Sequence, residues 1–530
     1  MENTILNRQN NPRSILARIL VLAAILLLGA GHTKQANVHA QISAHAHLYP
    51  ALPFSDSPFL RDGTDSPFPR SRFHRETAAG EPHRGPIPPI ATGYGSWGDK
   101  IAALPESFQI ESQGYTNTVT LYYPAGQTAP APTIFFAPGW NIPCEDYGQL
   151  LRFLVSQGYV AVCDDYGEDS GLIGAQLRAS FSEAVSRYPT RIDTAQIGLI
   201  GHSSGAGLLP SLAYDFVHNR GWGGINGQNT FIFSAAPWFD FDLTDAMLDS
   251  YPTNIKLIMQ TYEDDFSTDL RTYIDIFESL PISDTEKDYL TLRTTTVSTY
   301  TYQADHPVIA SGDATGYGVF DALDDYGVFR LVDALAKYTF YEDLTAKNVA
   351  LGDGIQTQIE MGALRDLIST DDPRPVPGVT YDYPCDVADN PRRDHCADYD
   401  DELPAAVLIT PTKHIAVIPP SPLFRWESVI TANRYFLQVR PLLPDGEPDW
   451  TTSYGENVTS EAAGCISGTQ NCTYQLSAEL PVGQYVWWIK AYSDVRESVW
   501  SRRGYFRRDH TAAVFLPLVI KSADHASVNR

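Results

Sequence analysis

Basic residues are scarce in this chain. Its 530 residues include 38 lysines and arginines against 63 aspartates and glutamates, a formal charge of −25. Such a surface repels phosphate backbones and anionic lipid, so nucleic acid is excluded as a partner and most of the molecule is set against a membrane surface. Long apolar runs are also nearly absent: after Ile19 to Leu28 no stretch reaches the length that spans a bilayer. Cysteine is limited to six residues without the matching histidines of a zinc site, so no metal ligand set is expected. The length in turn exceeds one ordinary domain, which predicts two folded domains with connecting segments.

Residues 1–40 read as a secretory signal peptide. Arg8, Arg13 and Arg18 precede the apolar run, and Val38-His39-Ala40 offers small residues for cleavage. An uncleaved anchor is the alternative, but the run is short for it. The expectation is a secreted protein of bacterial type with no membrane span once the signal is removed. The cysteines fall into close pairs, Cys144 with Cys163, Cys385 with Cys396 and Cys465 with Cys472, which fits disulfides in an oxidising compartment. Residues 41–95 carry nine prolines between Pro50 and Pro89 and read as a linker or poorly ordered arm.

The region 96–360 alternates buried strands with helices. Thr118 to Tyr123 alternates like a strand, Thr133 to Ala137 is a continuous apolar run, a helix is predicted from Tyr147 to Gln157, and Tyr159 to Cys163 is the next strand. That rhythm argues for a parallel sheet with crossover connections. Thr230 to Ala235, Ile255 to Gln260 and Tyr289 to Thr294 are further candidate strands. Between them, Ile197-Gly198-Leu199-Ile200 runs into Gly201-His202-Ser203-Ser204-Gly205 and then into small and apolar residues up to Val217. This is the strand, sharp turn and helix of a nucleophile elbow, with Ser203 lifted clear of the sheet. Glycines are needed on either side because side chains there would strike the neighbouring strand and helix. The Ser204 amide lies where an oxyanion would form. Pro210 falls two turns into the helix and predicts a kink.

From Ser107 to Glu360 the chain resembles the α/β-hydrolase family, in which a mostly parallel central sheet is flanked by helices. Pro138-Gly139-Trp140 is similar to the oxyanion loop of the cutinase, polyester-hydrolase and dienelactone-hydrolase branch. The resemblance implies that the amides of Trp140 and Ser204 form the oxyanion hole, stiffened by a Cys144–Cys163 bond. It also implies a triad in the order serine, acid, histidine. The acid follows the strand ending at Gln260; the usual offset selects Asp264, with Asp265 a serious competitor and Glu263 a distant one. Beyond it, His306 is the single histidine before residue 395 and is taken as the base, leaving His395 as the alternative. His202 should point away from Ser203, and His218 lies at the far end of the helix.

Fewer than twenty residues separate Ala235 from Ile255, too few for a large lid, so an open cleft is expected. Ala236-Pro237-Trp238 resembles the rim segment of polyester hydrolases, where Trp238 and Trp140 would clamp a substrate group. The implied activity is hydrolysis of small or polymeric carboxylic esters with no cofactor. A peptidase or amidase with the same triad, or a non-catalytic binding protein, are the rival readings.

Residues 317–341 carry apolar positions at helical spacing and read as a closing helix. The acidic segment 361–403 reads as a solvated connection; Asp386, Asp389, Asp394 and Asp398 lack the ordered alternation of a calcium loop. From 404 to 510 short strands between turns predict a smaller all-β sandwich that resembles fibronectin type III and immunoglobulin-like modules, with Trp426 buried and Cys465–Cys472 closing a hairpin. Exposed aromatics such as Trp488 and Tyr492 would bind glycan or another surface if the module is more than a spacer. The tail 511–530 is a final strand or an attachment signal.

Overall fold

The computed structural model describes residues 83–509 apart from 168, 313–315, 376–378, 400–402, 413–414, 418, 445 and 466–469. The segment read as a signal peptide, most of the proline-rich arm and the C-terminal tail therefore lie outside the described residues.

One large sheet organises the chain from 106 to 370. Its strands are β1 (Glu106–Ser112), β2 (Tyr115–Tyr122), β3 (Ala131–Ala137), β4 (Val160–Asp165), β5 (Ile192–His202), β6 (Thr230–Ala235), β7 (Lys256–Tyr262) and β8 (Lys287–Leu292). A small hairpin of β9 (Thr295–Val297) and β10 (Tyr300–Tyr302) follows, and β11 (Ile368–Thr370) completes the large sheet in the order β1-β2-β4-β3-β5-β6-β7-β8-β11. The six central strands β4, β3, β5, β6, β7 and β8 run parallel to one another. Their residues alternate between two cores: Ile134 and Phe136 enter one, Phe135 the other. Both faces are covered, which is why these strands read as unbroken apolar runs.

The expectation of an α/β-hydrolase fold with a mostly parallel sheet flanked by helices is corrected by this arrangement. Over the described residues as a whole strand outweighs helix, and the nine-stranded sheet is mixed, with antiparallel pairs β1–β2, β2–β4 and β8–β11. At one margin the cause is local. Gln113 and Gly114 both take positive φ, 54° and 84°, and such a two-residue turn folds β1 directly back on β2. At the other margin β11, separated from β8 by the 75 residues 293–367, closes antiparallel on it. The helices are mostly short. The one after Ser203 ends at Gly207 and restarts at Leu209, because Pro210 has no amide to offer Ala206; Ser234 Oγ donates to that carbonyl at 3.2 Å instead.

Toward the C-terminus lie β12 (Leu408–Thr410), β13 (Ile415–Val417), β14 (Leu423–Glu427), β15 (Arg434–Pro441), β16 (Tyr454–Thr459), β17 (Asn471–Gln475), β18 (Gly483–Tyr492), β19 (Glu497–Trp500) and β20 (Gly504–Arg508). They form a three-stranded sheet, β12-β14-β17, and a six-stranded sheet built on β18. A third core containing the fully buried Trp426, Tyr435 and Trp487 joins both sheets. Trp488 faces the opposite side from Trp487 but is not an exposed aromatic. Only 7 % of it is accessible, because Trp450 and Trp500 pack against it at 6.0 and 6.1 Å.

Three disulfides join Cys144 to Cys163, Cys385 to Cys396 and Cys465 to Cys472, and no cysteine is free. No helix among the described residues is long and apolar enough to cross a membrane.

Candidate active site

Ser203 stands at the end of β5 with φ +53°, a left-handed conformation that a residue with a side chain adopts only under constraint. The constraint is visible around it. A Cβ on Gly205 would lie 2.3 Å from the Ala137 carbonyl oxygen and 2.4 Å from that of Pro138, and one on Gly201 would press on the backbone of Ala206. The Trp238 amide donates to the Ser203 carbonyl at 2.9 Å, and Gly207 lets the Trp238 backbone pass. The serine is only partly exposed, while Ser204 is buried.

His306 lies in the loop after β10, nearly buried, and its Nδ1 donates to Asp265 Oδ2 at 2.8 Å. The other carboxylate oxygen of Asp265 accepts the Ser267 amide at 2.8 Å. This corrects the choice of Asp264. The backbone of Asp264 still pairs across the sheet margin, its amide donating to Ala304 at 2.9 Å, so the chain turns one residue later than the end of the apolar run suggests. The Asp264 carboxylate accepts from Thr294 Oγ1 at 2.6 Å and from Gln303. Glu263 is ion-paired with Arg365 at 2.7 Å. His395 is half exposed and sits 3.9 Å from Asp275, away from the His306–Asp265 pair.

The Pro138-Gly139-Trp140 loop is bound to the elbow by tyrosines that the sequence reading passed over. Tyr166 donates to the Pro138 carbonyl at 2.8 Å, so at its 2.8 Å contact with Ser204 the serine hydroxyl is the donor. Tyr147 Oη accepts the Gly139 amide at 2.8 Å and meets His202 Nδ1 at 2.9 Å. The Cys144–Cys163 bridge fastens the turn that carries Tyr147 to β4, and the Cys144 amide donates to Asp165 Oδ1 at 2.7 Å. Burial pushes Asp165 up to about 6 and the neighbouring Asp164 up to about 8. These residues carry no motif of their own. The one signal available was position: Tyr166 directly follows β4, and Tyr147 stands at the start of the helix after the Pro138-Gly139-Trp140 loop.

Trp140 and Trp238 are near-parallel with ring centroids 6.2 Å apart. They do not face each other across an empty cleft. Trp238 is 6 % accessible and is packed by Phe239, Phe241 and Tyr383 at 4.9, 5.4 and 5.1 Å. Tyr383 comes from the acidic segment expected to be solvated. That segment instead adds to the edge of the site: the amides of Asp382 and Tyr383 donate to the carbonyls of Phe266 and Ser267, directly after Asp265. Arg392 anchors the following loop on Asp275.

No family model matches this chain. A search of curated proteins likewise finds no significant relative.

The arrangement nonetheless has defined chemical capacity. It combines a hydroxyl on a strained turn, an imidazole whose Nδ1 proton is held by a buried carboxylate, and a loop of backbone amides bonded to the same turn. Groups of these kinds, when they meet on one substrate, can move a proton from hydroxyl to imidazole and stabilise negative charge on an adjacent oxygen.

Proposed function

We propose that the chain is a secreted serine hydrolase that cleaves carboxylic esters through an acyl-enzyme. Support rests chiefly on one observation: the 2.8 Å bond from His306 to a buried Asp265, in a loop tied to the residue next to a serine at φ +53°. Ser203 Oγ attacks the ester carbonyl carbon and its proton passes to His306 Nε2. Asp265 accepts the bond from Nδ1, fixes the tautomer and offsets the positive charge of the imidazolium. The amides of Trp140 and Ser204 stabilise the oxyanion. The C–O bond to the alcohol then breaks, and the alcohol leaves with the proton from His306. Water, deprotonated by His306, attacks the acyl carbon; the acid departs and Ser203 regains its proton.

The aromatic wall of Trp140, Trp238, Phe241 and Tyr383 favours substrates with a flat or apolar group beside the carbonyl. The test is labelling with a fluorophosphonate probe and turnover of p-nitrophenyl esters, with Ser203→Ala and His306→Ala in parallel. Labelling and turnover in the wild type, lost in both variants, are expected. An unlabelled wild-type protein overturns the reading, and turnover of anilides over esters moves it to an amidase.

A further inference from the structure

His202 precedes Ser203, and its side chain is fully buried and held by hydrogen bonds at both ring nitrogens. Its Nε2 lies 2.9 Å from the backbone carbonyl oxygen of His306. A carbonyl only accepts, so Nε2 carries the proton and Nδ1 is the bare nitrogen. Tyr147 therefore donates its hydroxyl proton to His202 Nδ1, at 2.9 Å, while its oxygen accepts the Gly139 amide at 2.8 Å. Three consecutive bonds thus run from the oxyanion loop through Tyr147 and His202 to the backbone of the base.

We propose that His202 and Tyr147 are positioning residues of the hydrolytic site, joining the oxyanion loop to the His306 loop across the turn that carries Ser203. The inference rests on the hydrolase reading above. Its physical content is that the two groups which must act on one substrate, the Trp140 amide and the His306 ring, sit on loops 166 residues apart in the chain, with no strand in common. Fixing them against each other removes freedom that would otherwise have to be lost at the transition state. The imidazole is suited to the task only while neutral. A protonated His202 could not accept from Tyr147, and its charge would oppose the imidazolium of His306, whose ring lies 4.8 Å away. Burial and the nearby His306 hold the His202 pKa well below the usual histidine range. Space is equally restricted, since a Cβ on Gly139 would lie 2.9 Å from His202 Nδ1 and 3.2 Å from Tyr147 Oη.

The experiment compares Tyr147→Phe, His202→Leu and His202→Gln with the wild type in ester turnover, fluorophosphonate labelling and thermal melting. Tyr147→Phe is expected to lower kcat about tenfold with KM within about twofold, because binding contacts stay while the loops loosen. His202→Leu is expected to lose about a hundredfold in kcat. His202→Gln should recover most of that loss, since a glutamine amide can donate to the His306 carbonyl and accept from Tyr147. If the wild type is labelled and Tyr147→Phe keeps its kcat, the positioning role is wrong while the hydrolase reading stands. A glutamine variant that melts like the wild type yet is as slow as the leucine variant also overturns it. If the wild type itself is not labelled, both fall together.

Discussion

Asp265→Asn is the substitution that most sharply tests the site. It keeps shape and leaves the Ser267 amide with an oxygen to bond, but it removes the charge that faces His306 Nδ1 at 2.8 Å. An asparagine presenting its NH2 group to Nδ1 would force the proton to Nε2, the nitrogen that must be bare to receive the Ser203 proton. In triads of this kind the same change costs about 10⁴-fold in kcat. At about 1.36 kcal/mol per decade this is roughly 5.4 kcal/mol of transition-state stabilisation. Asp264→Asn is the control one residue away. It weakens bonds from Thr294 and Gln303 to a carboxylate, so a stability loss of about 1.5–3 kcal/mol is expected, with less than a tenfold change in kcat. The assay is turnover and single-turnover acylation with p-nitrophenyl acetate, with melting curves to confirm folding. A folded Asp265→Asn protein with near wild-type kcat, or an Asp264→Asn protein as slow as the expected Asp265→Asn, would refute the assignment.

Three further outcomes follow from the packing and the buried charges. Gly205→Ala places a methyl 2.3 and 2.4 Å from two backbone oxygens that cannot step aside, so about 3 kcal/mol of stability or more and nearly all turnover should be lost; an active, stable variant would show that the turn is looser than described. Asp164, buried beside Asn117 and pushed up to about 8, is neutral in the folded chain at pH values where the unfolded chain has ionised it. Its contribution is therefore fully present below about pH 4 and is lost as the pH rises through 8, at up to about 1.4 kcal/mol per pH unit; urea denaturation of Asp164→Asn between pH 5 and 8 should show a shallower decline than the wild type, and parallel curves would count against it. Arg502, between β19 and β20, reaches Asp288 at 3.3 Å and Asp371 at 3.0 Å and also pairs with Asp353. Arg502→Met should cost about 3 kcal/mol by leaving Asp288 buried without its cation, and Asp288→Asn added to it should restore much of the loss in a double-mutant cycle.

How far the fold could be read from the chain depended on what kind of force specifies each part. Thr230 to Ala235 was legible to the residue, because a strand covered on both faces must be apolar throughout and its neighbours are turns. The elbow was legible because only glycine fits at 201 and 205, a steric requirement that leaves its mark in the sequence. The margins of the sheet were not. Whether β2 pairs antiparallel with β4 is decided by backbone bonds that any side chain permits, and the turn at Gln113-Gly114 lacks the asparagine that usually announces it. The carboxylate partner of His306 fell between these cases. The apolar run of β7 ends before the backbone pairing does, since Asp264 still bonds Ala304, and that extra residue moves the carboxylate facing His306 from 264 to 265.

Tyr147, Tyr166 and His202 mark the deeper limit. Each is a polar side chain whose partners lie on another strand or loop, and each is buried or nearly so, where an unmade hydrogen bond costs about 1–3 kcal/mol. Hydrophobic periodicity assigns such residues to an element but cannot say which carbonyl they will meet. The elements around the candidate site are therefore specified by apolar pattern and by glycine sterics, whereas the mutual placement of Ser203, His306 and the Pro138-Gly139-Trp140 loop is specified by a few long-range polar bonds. It follows that substitutions in the second group should change the rate of the chemical step far more than they change the melting temperature.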